Sequence, residues 1–203
     1  MNKTVQEFRR ENIKQLFVKV LQEGILRLEP LSVVVEESFN SDFTTAILSF
    51  VQHQGGSREQ LKIREDNAKG FVDAIFKACS REFSDSYPSL DRIRLTDYRV
   101  NPIFKKIKSK MQTDAKVQVI LTMEVLDRGP AEFSCTSRSI LHSTLVATLE
   151  AFEFYINCER SFHKIQTILD DAKDRNRGDI TQSCVSDLSK LTEVNTYEKK
   201  RRD

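Results

Sequence analysis

Hydrophobic positions divide the chain into an opening helix and two similar series of strands. The segment Asn2 to Glu23 has apolar residues at mixed three- and four-residue steps, which indicates an amphipathic helix that Gly24 stops. The apolar positions are Val5, Phe8, Ile13, Leu16, Phe17, Val20 and Leu21. Because no second helix follows at once, we expect this face to pack on the domain, on a second copy or on another protein.

The first series runs strand, strand, strand, helix. Two short β-branched segments, 31–35 and 44–51, predict a hairpin. The segment 60–65 alternates with period two and predicts a third strand, and Gly70 then precedes a helical pattern. The apolar positions of this helix are Val72, Ile75, Phe76, Cys79 and Phe83.

The second half of the chain repeats this order. The predicted strands are 90–100, which Pro102 would stop, 117–125 with Ile120 as an exception to its alternation, and 132–136. Ser137 or Ser139 can cap the helix that follows. Its apolar stripe is Ile140, Leu141, Leu145, Leu149, Phe152 and Ile156.

Corresponding positions of the two series lie at nearly constant offsets, which marks two copies of one unit. Ala46 and Val119 are 73 residues apart, and the third strands and helix starts are offset by 71 and 69. We therefore predict an α+β fold in which two pseudo-repeated βββα units, about 31–86 and 87–157, share a core. The predicted divisions are an N-terminal helix (1–28), a two-unit domain (29–160), and a C-terminal helix with a polar tail (161–203), whose basic end, 199–202, we expect to be frayed.

Composition and charge narrow the class of protein without naming a function. The 203 residues are 39% hydrophobic and 31% charged, with a net charge of +2, so a polyanion partner for the whole surface is not indicated. No run approaches the roughly 18 apolar residues of a membrane span, and the first 23 residues lack the apolar core of a secretory signal. We expect a cytoplasmic protein with no membrane partner and four reduced cysteines, mostly packed in the core.

Catalytic and metal-binding patterns are not found in the sequence. His53, His142 and His163 are far apart and form no metal-binding pair, and the chain has no glycine-rich phosphate loop. We therefore expect no catalytic residues, no metal and no cofactor.

The two helix starts, 70–73 and 137–140, are candidate binding positions. The first N–H groups of a helix lack helical partners and favour a small carboxylate, such as that of an amino acid or keto acid. Asp73, Asp97 and Asp114 are candidates to bind an ammonium group. An aspartate in a first turn also stabilises a helix without any ligand, so this second interpretation of Asp73 stays open.

Four short motifs occur in order along residues 31 to 157: Gly70-Phe-Val-Asp-Ala74, Tyr87-Pro-Ser-Leu90, Leu95-Thr-Asp-Tyr-Arg-Val100 and Thr113-Asp-Ala115. Together they resemble the C-terminal allosteric (dimerisation) domain of the α-isopropylmalate synthase and citramalate synthase family. The resemblance implies two βββα units, homodimerisation, and feedback binding of leucine or isoleucine near the dimer interface. The matching positions are Gly70, Val72, Asp73, Ala74, Asp97, Tyr98, Thr113, Asp114 and Ala115, and we add Ser137 and Ser139 from the second helix start.

The chain also departs from this family. Phe71 stands where the family has proline, Lys69 where it has asparagine, and Ser139 where its second helix has Asn-Ile. The chain has no room for the family's catalytic TIM barrel, so we expect a regulatory domain rather than an acyltransferase.

Three hypotheses follow from the sequence. The first is a stand-alone regulatory and dimerisation domain of branched-chain amino acid biosynthesis, which binds an amino-acid effector or a separate synthase chain. The second is a dimeric scaffold that binds a partner protein and no ligand. The third, a nucleic-acid-binding module that uses the lysines of 105–110, is the least favoured because no aromatic residues are interleaved with them.

Overall fold

The computed structural model describes residues 5–38, 40, 42–104, 115–126 and 128–198. Within these ranges the fold is α+β, with two three-stranded antiparallel sheets and four α-helices, which confirms the predicted class. The N-terminal helix α1 is Val5–Leu21, and a short 3-10 turn, Gln22–Gly24, follows it. The lysine-rich segment 105–110 lies outside the described residues.

Each half of the chain forms one βββα unit. The first unit contains β1 (Arg27–Glu37), β2 (Thr44–Gln54), β3 (Ser57–Ala68) and α2 (Phe71–Phe83). A 3-10 turn, Pro88–Arg92, leads into the second unit, which contains β4 (Ile93–Ile103), β5 (Lys116–Val125), β6 (Ala131–Ser137) and α3 (Ile140–Asp174). Helix α4, Gly178–Thr192, follows. The sheet orders are β1-β2-β3 and β4-β5-β6, so each middle strand pairs with both neighbours.

Alternation along the middle strands places one face of each sheet against a helix. Ala46, Leu48 and Phe50 of β2 are fully buried, and the Phe50 ring lies 6.1 Å from that of Phe83 on α2. The apolar residues of β5 that were assigned to one face, from Val117 to Val125, are all buried.

Pro102 does not end β4, contrary to the sequence prediction. The strand continues to Ile103, and Pro102 pairs with Val117 of β5. β4 is an edge strand, where a residue without an N–H group breaks no ladder hydrogen bond on the open side.

The helices join the two units into one core. Phe152 of α3 contacts Phe76 and Phe83 of α2, with ring centroids 5.6 and 6.1 Å apart. Helix α1 packs on α3 through Phe17 and Phe154, whose centroids are 5.7 Å apart. Phe8, which the sequence assigned to the apolar face of α1, is 61% exposed.

The C-terminal region is packed against α3 as far as residue 198. Helix α3 runs without a break past residue 160, and α4 folds back on it. Beyond α4, the Asn195 side chain donates to the Ser89 carbonyl at 2.9 Å, and the Tyr197 ring lies 4.7 Å from that of Phe162. The apolar residues of this region thus pack on α3 as far as residue 198. The basic end that we expect to be frayed, 199–202, lies outside the described residues.

Among the described residues, no helix has both the length and the apolar character that a membrane span requires. Cys79, Cys158 and Cys184 are buried and Cys135 is half-buried, and none forms a disulfide. Burial is the main cause of the raised pKa of the Cys79 and Cys158 thiols. Both thiols therefore stay protonated.

Candidate functional site

The two helix starts are connected through one tyrosine of β4. The Phe71 ring at the start of α2 meets the Tyr98 ring edge-on, with centroids 6.1 Å apart. The Tyr98 hydroxyl lies 3.0 Å from Thr144 Oγ1 in the first turns of α3. We call Phe71, Tyr98 and Thr144 the helix-start junction, because these residues bring the beginnings of both helices to one place.

The start of α2 is held by its own chain. Gly70 has φ 91° and ψ 163°, a conformation that favours glycine, and its N–H donates to Thr44 Oγ1 at 3.0 Å. The Lys69 N–H donates to Asp73 Oδ2 at 2.9 Å, and Lys77 Nζ lies 2.8 Å from the same oxygen. Asp73 therefore has structural partners on both sides, as expected for an aspartate that stabilises a first turn.

The other predicted residues of this helix differ in exposure. Val72 is half-buried, whereas Ala74 is fully buried against the core and has no polar side-chain atom. Ala74 therefore fixes how closely α2 packs and offers a ligand no contact.

The start of α3 carries a group of hydroxyls. Ser139 Oγ accepts from the His142 N–H at 3.2 Å, which makes Ser139 the N-cap. Ser137 Oγ lies 2.8 Å from Ser143 Oγ and donates to the Ser139 carbonyl at 2.8 Å. Ser137 and Ser139 thus lie together, with Ser143 beside them.

Thr144 and Ser143 were missed by the sequence reasoning. Both are fully buried, although they stand among the apolar positions of the helix. The Thr144 hydroxyl also bonds the Ile140 carbonyl at 2.8 Å. The sequence does contain a signal that could have identified them, namely two adjacent hydroxyl residues one turn after a capping serine.

Asp97 lies away from the junction. Its carboxylate is 3.0 Å from Arg99 Nε, on the sheet face opposite to the Tyr98 side chain, and Arg99 also pairs with Glu132. The structure therefore does not bring Asp97 together with the helix starts. Ala115, which is half-buried, precedes β5 directly, and Thr113 and Asp114 lie outside the described residues.

A separate groove lies between α1, α3 and the beginning of β1, with a volume of about 790 Å³. Its apolar lining includes Phe17, Leu26, Leu28 and Phe154. The Asn157 side chain bonds both the N–H and the carbonyl of Leu26, each at 2.9 Å. The sequence reasoning did not single out this groove.

Glu153 is the most unusual ionisable group of this groove. Its Oε1 accepts a hydrogen bond from the Leu28 N–H. Burial raises the pKa of Glu153 to about 7, although this hydrogen bond opposes the effect; Glu150 raises it further, and Lys14 and Arg27 lower it. Glu153 and Asn157 are four residues apart on α3 and therefore lie on the same face of the helix. A polar pair at this spacing within an otherwise apolar stripe is the sequence feature that could have indicated the groove.

Together, the sheets and helices define an α+β protein of two βββα units whose helix starts converge at Tyr98. Comparisons of the chain with protein-family models and with curated proteins find no match.

Proposed function

We propose that the chain is a regulatory and dimerisation module of branched-chain amino acid biosynthesis, which binds an amino-acid effector or a separate synthase chain. The observation that carries the proposal is the helix-start junction, where Tyr98 contacts Phe71 and hydrogen-bonds Thr144. The motifs around Gly70 and Tyr98 support the same function by their resemblance to the feedback domain of the synthases.

The junction offers the chemistry that an apolar amino acid requires. First-turn N–H groups lack helical partners and favour a carboxylate. The rings of Phe71 and Tyr98 offer apolar surface for a branched side chain. Burial raises the pKa of Tyr98, so its hydroxyl stays protonated and able to donate a hydrogen bond near neutral pH.

Exposed apolar residues near the helix starts support dimerisation at this end of the molecule. Phe43 precedes Thr44, the partner of the Gly70 N–H, and is 54% exposed. Ile103 at the end of β4 and Ile140 at the start of α3 are each 44% exposed. Large apolar side chains grouped on a surface are typical of contacts between proteins.

The ligand test is calorimetric titration with leucine, isoleucine and valine. We expect selective binding of one of them, and Tyr98→Phe to weaken it about 2- to 10-fold, because the hydrogen bond to Thr144 is lost. Tyr87→Phe is the matched control, since Tyr87 is half-buried beyond the opposite end of α2, and it should leave the affinity unchanged. Binding of none of the three amino acids would contradict the effector part of the proposal.

The dimer test is the mass in solution. Ile103→Asp should convert a dimer to a monomer, because a charge would be buried at the proposed contact. Val185→Asp places the same charge on a 53% exposed residue of α4 and should leave the dimer intact. A monomeric wild-type protein would contradict the dimerisation part.

A dimeric scaffold that binds a partner protein is the second candidate. Asp73 is occupied by the Lys69 N–H and by Lys77, which favours a structural over a ligand-binding role at the start of α2. A dimer that binds none of the three amino acids would support this candidate over the first.

A further inference from the structure

The groove between α1, α3 and β1 contains the carboxylate of Glu153. Glu153 Oε1 is occupied by the Leu28 N–H, whereas Oε2 has no hydrogen-bond partner among the described residues. The side chain is partly buried and lies beside the apolar residues Leu28 and Phe154. Oε2 is not among the fully buried atoms, so a ligand in the groove could reach it.

Two neighbouring side chains pair with other carboxylates, whereas Arg27 lies close enough to lower the pKa of Glu153. Lys14 Nζ is 2.9 Å from Glu150 Oε1, and His53 Nε2 is 3.0 Å from Glu29 Oε2. Each of these groups therefore pairs with a different carboxylate. The lining contains the carboxylates of Glu29, Glu150 and Glu153 against two permanent cations, Lys14 and Arg27. This balance favours a positively charged ligand over an anion.

The remaining lining suits an apolar ligand body. The rings of Phe17 and Phe154 form one wall, and Ile25, Leu26 and Leu28 provide aliphatic surface. A volume of about 790 Å³ is within the range of small-molecule sites and admits a molecule of amino-acid size. Asn157 and Glu153 hold β1 against α3, so this wall is fixed by hydrogen bonds before any ligand binds.

We infer that this groove binds a small molecule with an apolar body and a primary ammonium group, which donates a hydrogen bond to Glu153 Oε2. The site goes beyond the proposed function, because it lies apart from the helix-start junction and recognises an ammonium group rather than a carboxylate. Two sources share this chemistry, a free aliphatic amine and an apolar amino acid.

The binding should depend on pH, because only ionised Glu153 attracts the ammonium group. With a pKa of about 7, this carboxyl is mostly protonated at pH 6 and mostly ionised at pH 8. The groups that face it are Glu150 on its own helix, Lys14 on α1 and Arg27 on β1. We expect the affinity for 3-methylbutylamine, measured by calorimetry, to rise about tenfold from pH 6 to pH 8.

Glu153→Gln tests the contact directly. Glutamine keeps an acceptor for the Leu28 N–H and mimics the protonated acid, so the variant should fold, which a thermal melt checks. We expect it to weaken amine binding at pH 8 about tenfold or more and to remove the pH dependence. The matched control is Glu29→Gln, which removes a carboxylate whose side chain is 58% exposed at the rim of the groove and should change the affinity much less.

His53→Gln tests whether the histidine of the groove contributes to the pH dependence. The tenfold rise should persist in this variant if Glu153 causes it. Loss of the rise in His53→Gln, with the rise retained in Glu153→Gln, would overturn the inference.

Three ligands identify the recognised group and separate this site from the junction. We expect 3-methylbutylamine and leucine to bind in a manner sensitive to Glu153→Gln, and 4-methylpentanoate, which has no amine, not to bind in this groove. Leucine binding that responds to Tyr98→Phe and not to Glu153→Gln would place leucine at the junction, with 3-methylbutylamine alone as the ligand of the groove. Absence of amine binding at both pH values, or equal affinity of the wild type and Glu153→Gln, would overturn the inference whatever the outcome at the junction.

Discussion

The two βββα units have matching sheets but very different helices. Helix α2 has 13 residues and packs on its own sheet and on α3. Helix α3 has 35 residues and contacts β5 and β6 of its own unit, and also β1, α1, α2 and α4. The repeated part of the chain thus accounts for the two sheets, whereas the extension of one helix organises the elements that are not repeated. The groove and Glu153 lie where α3 contacts α1 and β1, outside the repeated pattern of three strands and a helix.

The largest effect should come from the aromatic cluster where α1 meets α3. Phe154 contacts Phe17, Phe133 and Tyr155, with ring centroids 5.7, 5.8 and 5.4 Å apart. Phe154→Ala should lower the free energy of unfolding by about 3–5 kcal/mol, because it leaves a cavity among large rings.

Urea unfolding measures this effect, and Phe8→Ala is the control. Phe8 also lies on α1 but is 61% exposed, so its truncation should change the free energy of unfolding by less than about 0.5 kcal/mol. Equal effects of the two substitutions would show that α3 does not have the organising role that distinguishes it from α2.

The next effect concerns the backbone just before β1, which the Asn157 side chain of α3 holds by two hydrogen bonds. Asn157→Ala leaves the N–H and the carbonyl of Leu26 without their partners, both in a buried site. We expect a loss of about 2–3 kcal/mol in the free energy of unfolding, together with faster hydrogen exchange of the Leu26 amide. Asn12→Ala, at an exposed position of α1, should leave both quantities nearly unchanged.

Periodicity predicted the repeated part of the fold because each strand buries one face and each helix one stripe. In β4, strict alternation from Leu95 would put Asp97 on the helix side, but the register shifts between Leu95 and Asp97, so Tyr98 faces the core instead. The three-residue step between the apolar positions Leu95 and Tyr98 is the sequence signal of this irregularity.

Long-range contacts limited the prediction of the site in a similar way. The motifs identified Gly70 and Tyr98 separately, but the contact between Phe71 and Tyr98 joins two units and depends on how the sheets pack. The order of the C-terminal region depends in the same way on Asn195, whose bond to Ser89 spans 106 residues. The polar composition there could not reveal such a partner.

The start of α2 should be sensitive to backbone strain, unlike the start of α3. At Gly70 a Cβ atom would meet no neighbour, but φ is +91°, a conformation that side chains other than glycine rarely adopt. Gly70→Ala should therefore lower the free energy of unfolding by about 1–3 kcal/mol.

Gly178→Ala is the matched control for this strain. Gly178 begins α4 with open space around its Cα and without a left-handed φ, so alanine should stabilise the protein by up to about 1 kcal/mol. Opposite signs for the two substitutions in thermal melts would support the strain at Gly70, and equal signs would contradict it.

The smallest effect should come from the hydroxyl cap that α3 has and α2 lacks. Ser139 Oγ accepts from the His142 N–H, whereas no side chain caps α2 at Gly70. Ser139→Ala should lower the free energy of unfolding by about 1 kcal/mol, and Ser139→Asp should retain most of the stability because its carboxylate also accepts from the first turn. If Ser139→Ala had no effect in urea unfolding, the bond between Ser137 and Ser143 would suffice to hold the start of α3, and the two helix starts would differ in backbone conformation rather than in capping.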